Sequence, residues 1–180
     1  MLVCLGLHIT HIKATLKSLN ERFGTRRLEA VGEFFLFPMT VADIFSSKFW
    51  SRVWSTYAMY DPSYANELSF GFFVDVGNGW TTIIPSVLLY IALTHHSALW
   101  PEVLTPFALG IMGIMKFYQE FYGTCIYFLS FFLNKRYVGK SFFEVALFVG
   151  FSNGLWFFFP LLGIYACVHM ISSNSYDILQ

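Results

Sequence analysis

Between Ser69 and Thr94 the chain carries a single side chain that is charged at neutral pH, Asp75. At 1.5 Å per residue a helix over that run crosses the roughly 30 Å hydrocarbon core of a bilayer. A run of this length and apolarity leaves few folds open. It is either a membrane span or the centre of a core far larger than 180 residues provide. Composition favours the span. The chain is 56% hydrophobic, 21% aromatic and 12% charged, with a mean hydropathy of +0.57, whereas soluble domains are about 25% charged. With 22 Phe and 10 Tyr, much apolar surface must face lipid, which argues against a soluble enzyme. Eleven Lys+Arg balance eleven Asp+Glu to +0. No whole-molecule field therefore attracts nucleic acid.

Two further runs read as spans. Pro101 to Asn134 is apolar but for Lys116 and Glu120, which are four residues apart on one helical face. Phe142 to Ile171 follows the basic turn Asn134-Lys135-Arg136 and contains Asn153, Trp156 and Pro160. Leu28 to Phe45 is the fourth candidate; Glu29, Glu33 and Asp43 would need to face protein for it to span. Met1 to Ile12 is too short to cross and precedes Lys13, Lys17, Arg22, Arg26 and Arg27, so it reads as a truncated helix or a surface-lying segment rather than a cleaved signal. Residues 46–68 form an aromatic connector of interfacial type, with Trp50, Trp54, Tyr57, Tyr60 and Tyr64. The expected organisation is thus a short apolar segment and basic tract over 1–27, one all-α polytopic bundle of about four spans over 28–172, and a polar tail over 173–180. The basic residues do not assign an orientation. Cys4, Cys125 and Cys167 lack disulfide or zinc spacing and read as packing residues, and no metal site is expected. The five histidines show no ligand pairing and read as interfacial caps.

Three groups carry chemistry. Asp75 sits inside a span, where a carboxyl is costly unless protonated, paired or in a polar cavity; with Asn78 and Thr82 it shares one face. The alternative is a capping or helix-bonding role. Glu33 lies beside Phe34, Phe35, Leu36 and Phe37, where burial would favour a proton donor; equally, Glu29 and Glu33 form the solvated side of an interfacial helix beside Arg26 and Arg27. Asn153 and Trp156 are three residues apart on one face. They either line a site or serve helix packing and lipid contact. Carboxyls, an amide and aromatic faces in apolar walls suit an apolar ligand with a cationic or cation-like centre.

The segment Trp54-Ser-Thr-Tyr57-Ala58-Met-Tyr-Asp61-Pro-Ser-Tyr64, Asp75 within the next span, Tyr122-Gly123 with Tyr127, and Asn153-Gly154-Leu155-Trp156 followed by Pro160 together resemble the emopamil-binding protein family. These are sterol Δ8 to Δ7 isomerases that share the EXPERA domain with the sigma-2 receptor. The resemblance covers about Glu33 to Ile171. It implies a multi-pass bundle in the endoplasmic reticulum membrane with a sterol pocket, cofactor-free isomerisation through a carbocation, and, as partners, a sterol or similar apolar ligand, the bilayer and, in a homodimer, a second copy. By position, Asp75 stands on the family's catalytic Glu, Glu33 on its other acid, and Asn153 and Trp156 on its Asn and Trp, Trp156 facing the cation. Tyr57, Asp61, Tyr64, Asn78, Tyr122 and Tyr127 would contact substrate. Glu29 occupies the family's His position, and Asn78 that of its Thr. The same resemblance includes non-catalytic sterol binders.

Overall fold

Residues 9–95 and 104–179 are described by a computed structural model, and among them every regular element is helical. The α-helices are α1 (Ile9–Phe23), α2 (Arg27–Phe35), α3 (Val41–Ile44), α4 (Ser47–Ala58), α5 (Phe70–His95), α6 (Pro106–Leu133), α7 (Phe142–Glu144) and α8 (Ser152–Ser173). Short 3-10 turns occupy Pro62–Ala65 and Asp177–Leu179, and a π-helical stretch, Val145–Phe151, joins α7 to α8. The expectations for Met1 to His8, with Cys4 and His8, and for residues 96–103 lie outside the described residues. The chain divides into two compact units, Met1–Trp80 with Ser130–Phe151, and Thr81–Leu129 with Ser152–Gln180.

In the first unit Ile12, Leu16, Leu19 and Phe23 recur on one face of α1. Leu19 and Phe23 bury with Ala30 and Met59. Against α1, α4 presents the small residues Ser51, Ser55 and Ala58. Ser55 Oγ donates to the Ile12 carbonyl at 3.1 Å, and the Ser51 and Thr15 hydroxyls meet at 3.3 Å. Gly24, at φ 55°, closes α1 by donating its N–H to the Asn20 carbonyl at 2.9 Å, a left-handed cap that a side chain would strain. Within the described residues, α1 carries Ile9 to Ile12 into the basic tract as one helix.

Leu28 to Phe45 is not one helix, contrary to expectation. α2 stops at Phe35, about 13 Å after its start. Pro38, which offers no N–H, follows, and the chain restarts at α3 under the Thr40–Asp43 box. It returns as a hairpin, with α4 packed against α2.

The second unit is built from apolar helices. Ala92, Leu109 and Met170 are its buried centre, with Leu88, Leu89, Met112, Tyr176 and Ile178 around them. α6 and α8 approach closely where side chains vanish: a Cβ on Gly110 would press on Ile171, one on Gly113 would strike Cys167 Sγ, and one on Gly163 would lie 2.6 Å from three ring atoms of Phe117. A leucine at Gly163 must therefore evict the Phe117 ring. Gly163→Leu is expected to destabilise by about 1–3 kcal/mol. Combining it with Phe117→Ala should cost less than the sum of the two single changes, as read by thermal unfolding in detergent. Equal and additive losses would show that the ring and the glycine do not meet.

Among the described residues, two helices are by length and composition apolar enough to cross a membrane, Phe70–Thr94 and Phe142–Ser173. α6 is long enough, but its apolar run is broken by Lys116, Gln119, Glu120 and Thr124, all wholly or largely withdrawn from the surface. The polar residues form a ridge in which the Lys116 ammonium donates to both Glu120 oxygens at 2.9 Å, and Gln119 Nε2 donates to Thr81 Oγ1 at 2.6 Å.

Candidate functional site

Glu33 and Asp75 belong to the first unit, and Asn153 and Trp156 to the second. Glu33 does not sit bare among aromatic rings. Both of its oxygens are taken by Arg22, at 3.0 and 2.6 Å, and Oε1 also accepts from Arg52 at 2.6 Å. Arg52 in turn lies over the Phe37 ring, 4.9 Å from its centre. Two guanidinium groups thus occupy this carboxylate, Arg22 on both oxygens and Arg52 on one. Glu29 pairs with Arg26 at 2.8 Å on the exposed side of α2. Sequence reasoning placed Arg26 there but missed Arg22 and Arg52. Arg52 lies nineteen residues after Glu33, and only the hairpin brings it back.

Asp75 and Asn78 lie one turn apart on α5, half-buried and each engaged by a neighbour. Their helix carries no other Asp, Glu, Lys or Arg, so Asp75 is the one carboxyl on α5.

The aromatic connector folds into α4 and the 3-10 turn. Trp54 stacks on Tyr64 at 5.7 Å, and Tyr57 meets the Tyr64 ring edge-on at 4.8 Å. Tyr57 and Tyr64 thus pack on each other, half-buried. Asp61 is wholly buried, at 0% exposure. It caps the 3-10 turn by accepting from Ser63 N at 3.1 Å, with Pro62 preset at the first turn position. Its charge is matched by Arg136, whose Nη1 reaches both carboxylate oxygens at 2.9 and 2.8 Å. Arg136 Nη2 donates to Ser130 Oγ at 3.0 Å, and its guanidinium lies 5.3 Å from the Phe131 ring centre. Asp61, expected at the substrate, thus ties the 3-10 turn to the connection after α6. The basic turn Asn134-Lys135-Arg136 was the only sequence signal for its partner.

Beside this pair, Arg27 Nη1 bonds Glu144 Oε1 at 3.2 Å and Lys140 Nζ donates to the Arg136 carbonyl. Burial, then the neighbouring Arg27 charge, holds Lys140 below the usual lysine range. Tyr60 is buried here with its ring stacked on Phe148, centres 4.0 Å apart, and its hydroxyl has no hydrogen-bond partner among the described residues. Burial, reinforced by Glu144 and opposed by Arg27, pushes the phenol up to about 12. A folded-state value above the ordinary 10.0 means that this group's stabilisation is intact below pH 10 and is lost as pH climbs toward about 12. Since no bond would be broken, Tyr60→Phe is expected to leave stability within about 0.5 kcal/mol of the parent or to raise it. It should also remove the highest-pH phenolate step from an absorbance titration. A loss above about 1 kcal/mol would mean that the hydroxyl is bonded.

In the second unit Asn153 is buried, with Nδ2 3.5 Å from Ser152 Oγ, directly after the π-helical stretch. Such stretches re-aim the side chains that follow them. Trp156 has an exposed ring, and its carbonyl has lost its helical donor because Pro160 stands four residues on. Thr124 Oγ1 supplies one at 3.2 Å, sharing its hydrogen with the Glu120 carbonyl at 2.9 Å. Tyr122 is exposed and stacked on Tyr118 at 6.0 Å, whereas Tyr127 is buried. Cys167 is buried against Gly113, and Cys125 is half-buried. Among the described residues no three His, Cys, Asp or Glu side chains are placed to hold a metal ion.

The class defined at this point is a protein whose described residues are all-helical and include two helices long and apolar enough to cross a membrane. Comparisons with protein-family models, curated proteins and solved structures return no match to this chain.

Proposed function

We propose that this chain is a multi-pass membrane protein of the endoplasmic reticulum, of EXPERA type, that isomerises a sterol Δ8 double bond to Δ7. The observation that carries the reading is Asp75, a half-buried carboxyl in the otherwise uncharged helix α5, with Asn78 on the same face. The resemblance of Trp54 to Tyr64 and of Asn153 to Pro160 supplies the substrate class. α5, α6 and the helix from Phe142 to Ser173 are the spans, and the α2 to α4 hairpin stands where the family's preceding span would be.

In the reaction, a proton adds to C9 of the Δ8 bond, the cation centres on C8, and a proton leaves C7. Donor and acceptor exchange one proton, no electrons are lost, and no cofactor is consumed. Asp75 is the acid that gives and takes it, Asn153 orients the substrate hydroxyl or a carboxyl, and the Trp156 ring faces the cation. Glu33 contributes only once Arg22 and Arg52 release it. That double clamp favours a second reading, a sterol-binding member of the same type without turnover, and Glu29 at the family's His position points the same way.

The test is expression in cells that lack sterol isomerase, with Δ8 and Δ7 sterols measured by mass spectrometry. Restored Δ7 sterol is expected. Continued Δ8 accumulation by a folded protein that binds a photoreactive sterol would replace the isomerase with the binder, and failure of both conversion and binding would overturn the sterol reading altogether.

A further inference from the structure

The α2 to α4 hairpin ends in an apolar tip. Leu36 is 84% exposed, Val41 74%, Phe45 71% and Met39 59%. From Phe34 to Ser47 the one charged side chain is Asp43. Water would favour a loose polar loop there, but this tip is built and closed on itself. Leu36 N donates to the Gly32 carbonyl at 3.0 Å, Phe45 N to Ala42 at 3.1 Å and Ser46 N to Asp43 at 2.9 Å. Trp50 Nε1 caps the Ile44 carbonyl at 2.8 Å. The Asp43 carboxylate is itself occupied, accepting from the Thr40 N–H at 2.8 Å and the Thr40 hydroxyl at 2.7 Å.

Internal pairing of backbone groups, as at the Gly32, Ala42, Asp43 and Ile44 carbonyls, is what a low-dielectric medium demands of chain that enters it. Charge rises away from the tip. Lys48, exposed at the start of α4, is long enough to snorkel. Arg22, Arg26 and Arg27 gather at the hairpin's open end, and the Glu33 clamp with Arg52 lies between. An apolar tip above a base where the five cations Lys48, Arg22, Arg26, Arg27 and Arg52 outnumber their three paired carboxylates, Glu29, Glu33 and Glu144, matches the layering of one leaflet with anionic headgroups.

We infer that the α2 to α4 hairpin is a re-entrant membrane wedge, with Leu36, Met39, Val41 and Phe45 seated in the acyl boundary of one leaflet. The inference rests on the membrane location of the chain and not on its chemistry. It replaces a spanning segment over Leu28 to Phe45 with one that enters and leaves on the same side.

The experiment uses the full chain, with Cys4→Ser, Cys125→Ser and Cys167→Ala, reconstituted in phosphatidylcholine vesicles containing phosphatidylserine. Single cysteines at Val41→Cys, Phe45→Cys, Val87→Cys and Lys17→Cys carry an environment-sensitive fluorophore, and emission is compared in ordinary and chain-brominated lipid. Val87 is exposed on the apolar helix α5 and Lys17 on the charged face of α1. Labels at Val41 and Phe45 are expected to be blue-shifted and to lose about half their emission or more in brominated lipid, as at Val87, while Lys17 is unaffected. Quenching at Val87 with none at Val41 and Phe45 would overturn the wedge and leave the membrane reading standing. Absence of quenching at all sites would overturn both. Blue shift at Val41 and Phe45 without quenching, together with cysteine cross-linking between chains, would assign the tip to a second copy and overturn the wedge.

Discussion

Replacing Asp61 with alanine is expected to unfold the first unit more readily than any other single carboxyl change, by about 3–5 kcal/mol. The reason is an asymmetry. With the pair intact, Asp61 has its charge matched by Arg136 and its cap filled by Ser63 N. Without it, a guanidinium only 15% exposed is left without its counter-charge and the 3-10 turn loses its N-cap, a further cost of about 1 kcal/mol. For a chain of this size the loss corresponds to a fall of roughly 6–20 °C in the detergent melting temperature. Asp61→Asn, which keeps the cap, should recover only the smaller part. Asp61→Leu with Arg136→Met should recover much of the larger part, because removing both charges removes the desolvation that opposes them. Independent, additive losses in the double change would show that the two groups do not depend on each other. Asp61 was expected at the substrate; its pairing with Arg136 gives it a structural role, and a purely structural Asp61 predicts that its variants lose conversion only in proportion to the folded protein that remains.

Asp75→Asn is expected to lose isomerisation by a factor of about 10²–10⁴, the usual worth of a positioned acid or base, with a melting temperature close to that of the parent. The amide keeps size and polarity but cannot hand a proton to carbon and recover it. Sterol binding should survive. The measurement is the Δ8 to Δ7 ratio at matched expression in isomerase-deficient cells, together with labelling by a photoreactive sterol. Undiminished conversion by Asp75→Asn would remove Asp75 from the chemistry. Glu33→Gln makes the contrast: as long as Arg22 and Arg52 hold that carboxylate, its loss should lower stability and conversion together, whereas a true second acid would lose conversion alone.

How much of this was legible in the chain depends on the range of the interaction involved. The helix α5 and the one from Phe142 to Ser173 were readable as candidate spans because length and apolarity are local sums, whereas α6 was readable as a helix but not by apolarity as a span. The Lys116–Glu120 pair was readable too, since a spacing of four is itself a distance on a helix. The hairpin over Leu28 to Phe45 was not, although Pro38 stood in plain view. Mean apolarity cannot tell a helix that continues from one that stops and turns back. Nor did α6 announce that Gln119 and Thr124 would serve Thr81 and the Trp156 carbonyl. A proline marks the orphaned carbonyl, but only packing says which hydroxyl reaches it.

The charged groups divide the same way. From the sequence alone came a lone carboxyl, Asp75, in a long apolar run, an amide and an indole on one face in Asn153 and Trp156, and two stretches long and apolar enough to cross a membrane. Tertiary structure alone decided which charges meet: Glu33 with Arg22 and Arg52, Asp61 with Arg136, Arg27 with Glu144. Hydrophobicity is additive along a chain, so it can be read residue by residue. A buried charge is tolerable only with its counter-charge, and the chain must fold before that partner, seventy-five residues away in the case of Arg136, is brought within three ångströms.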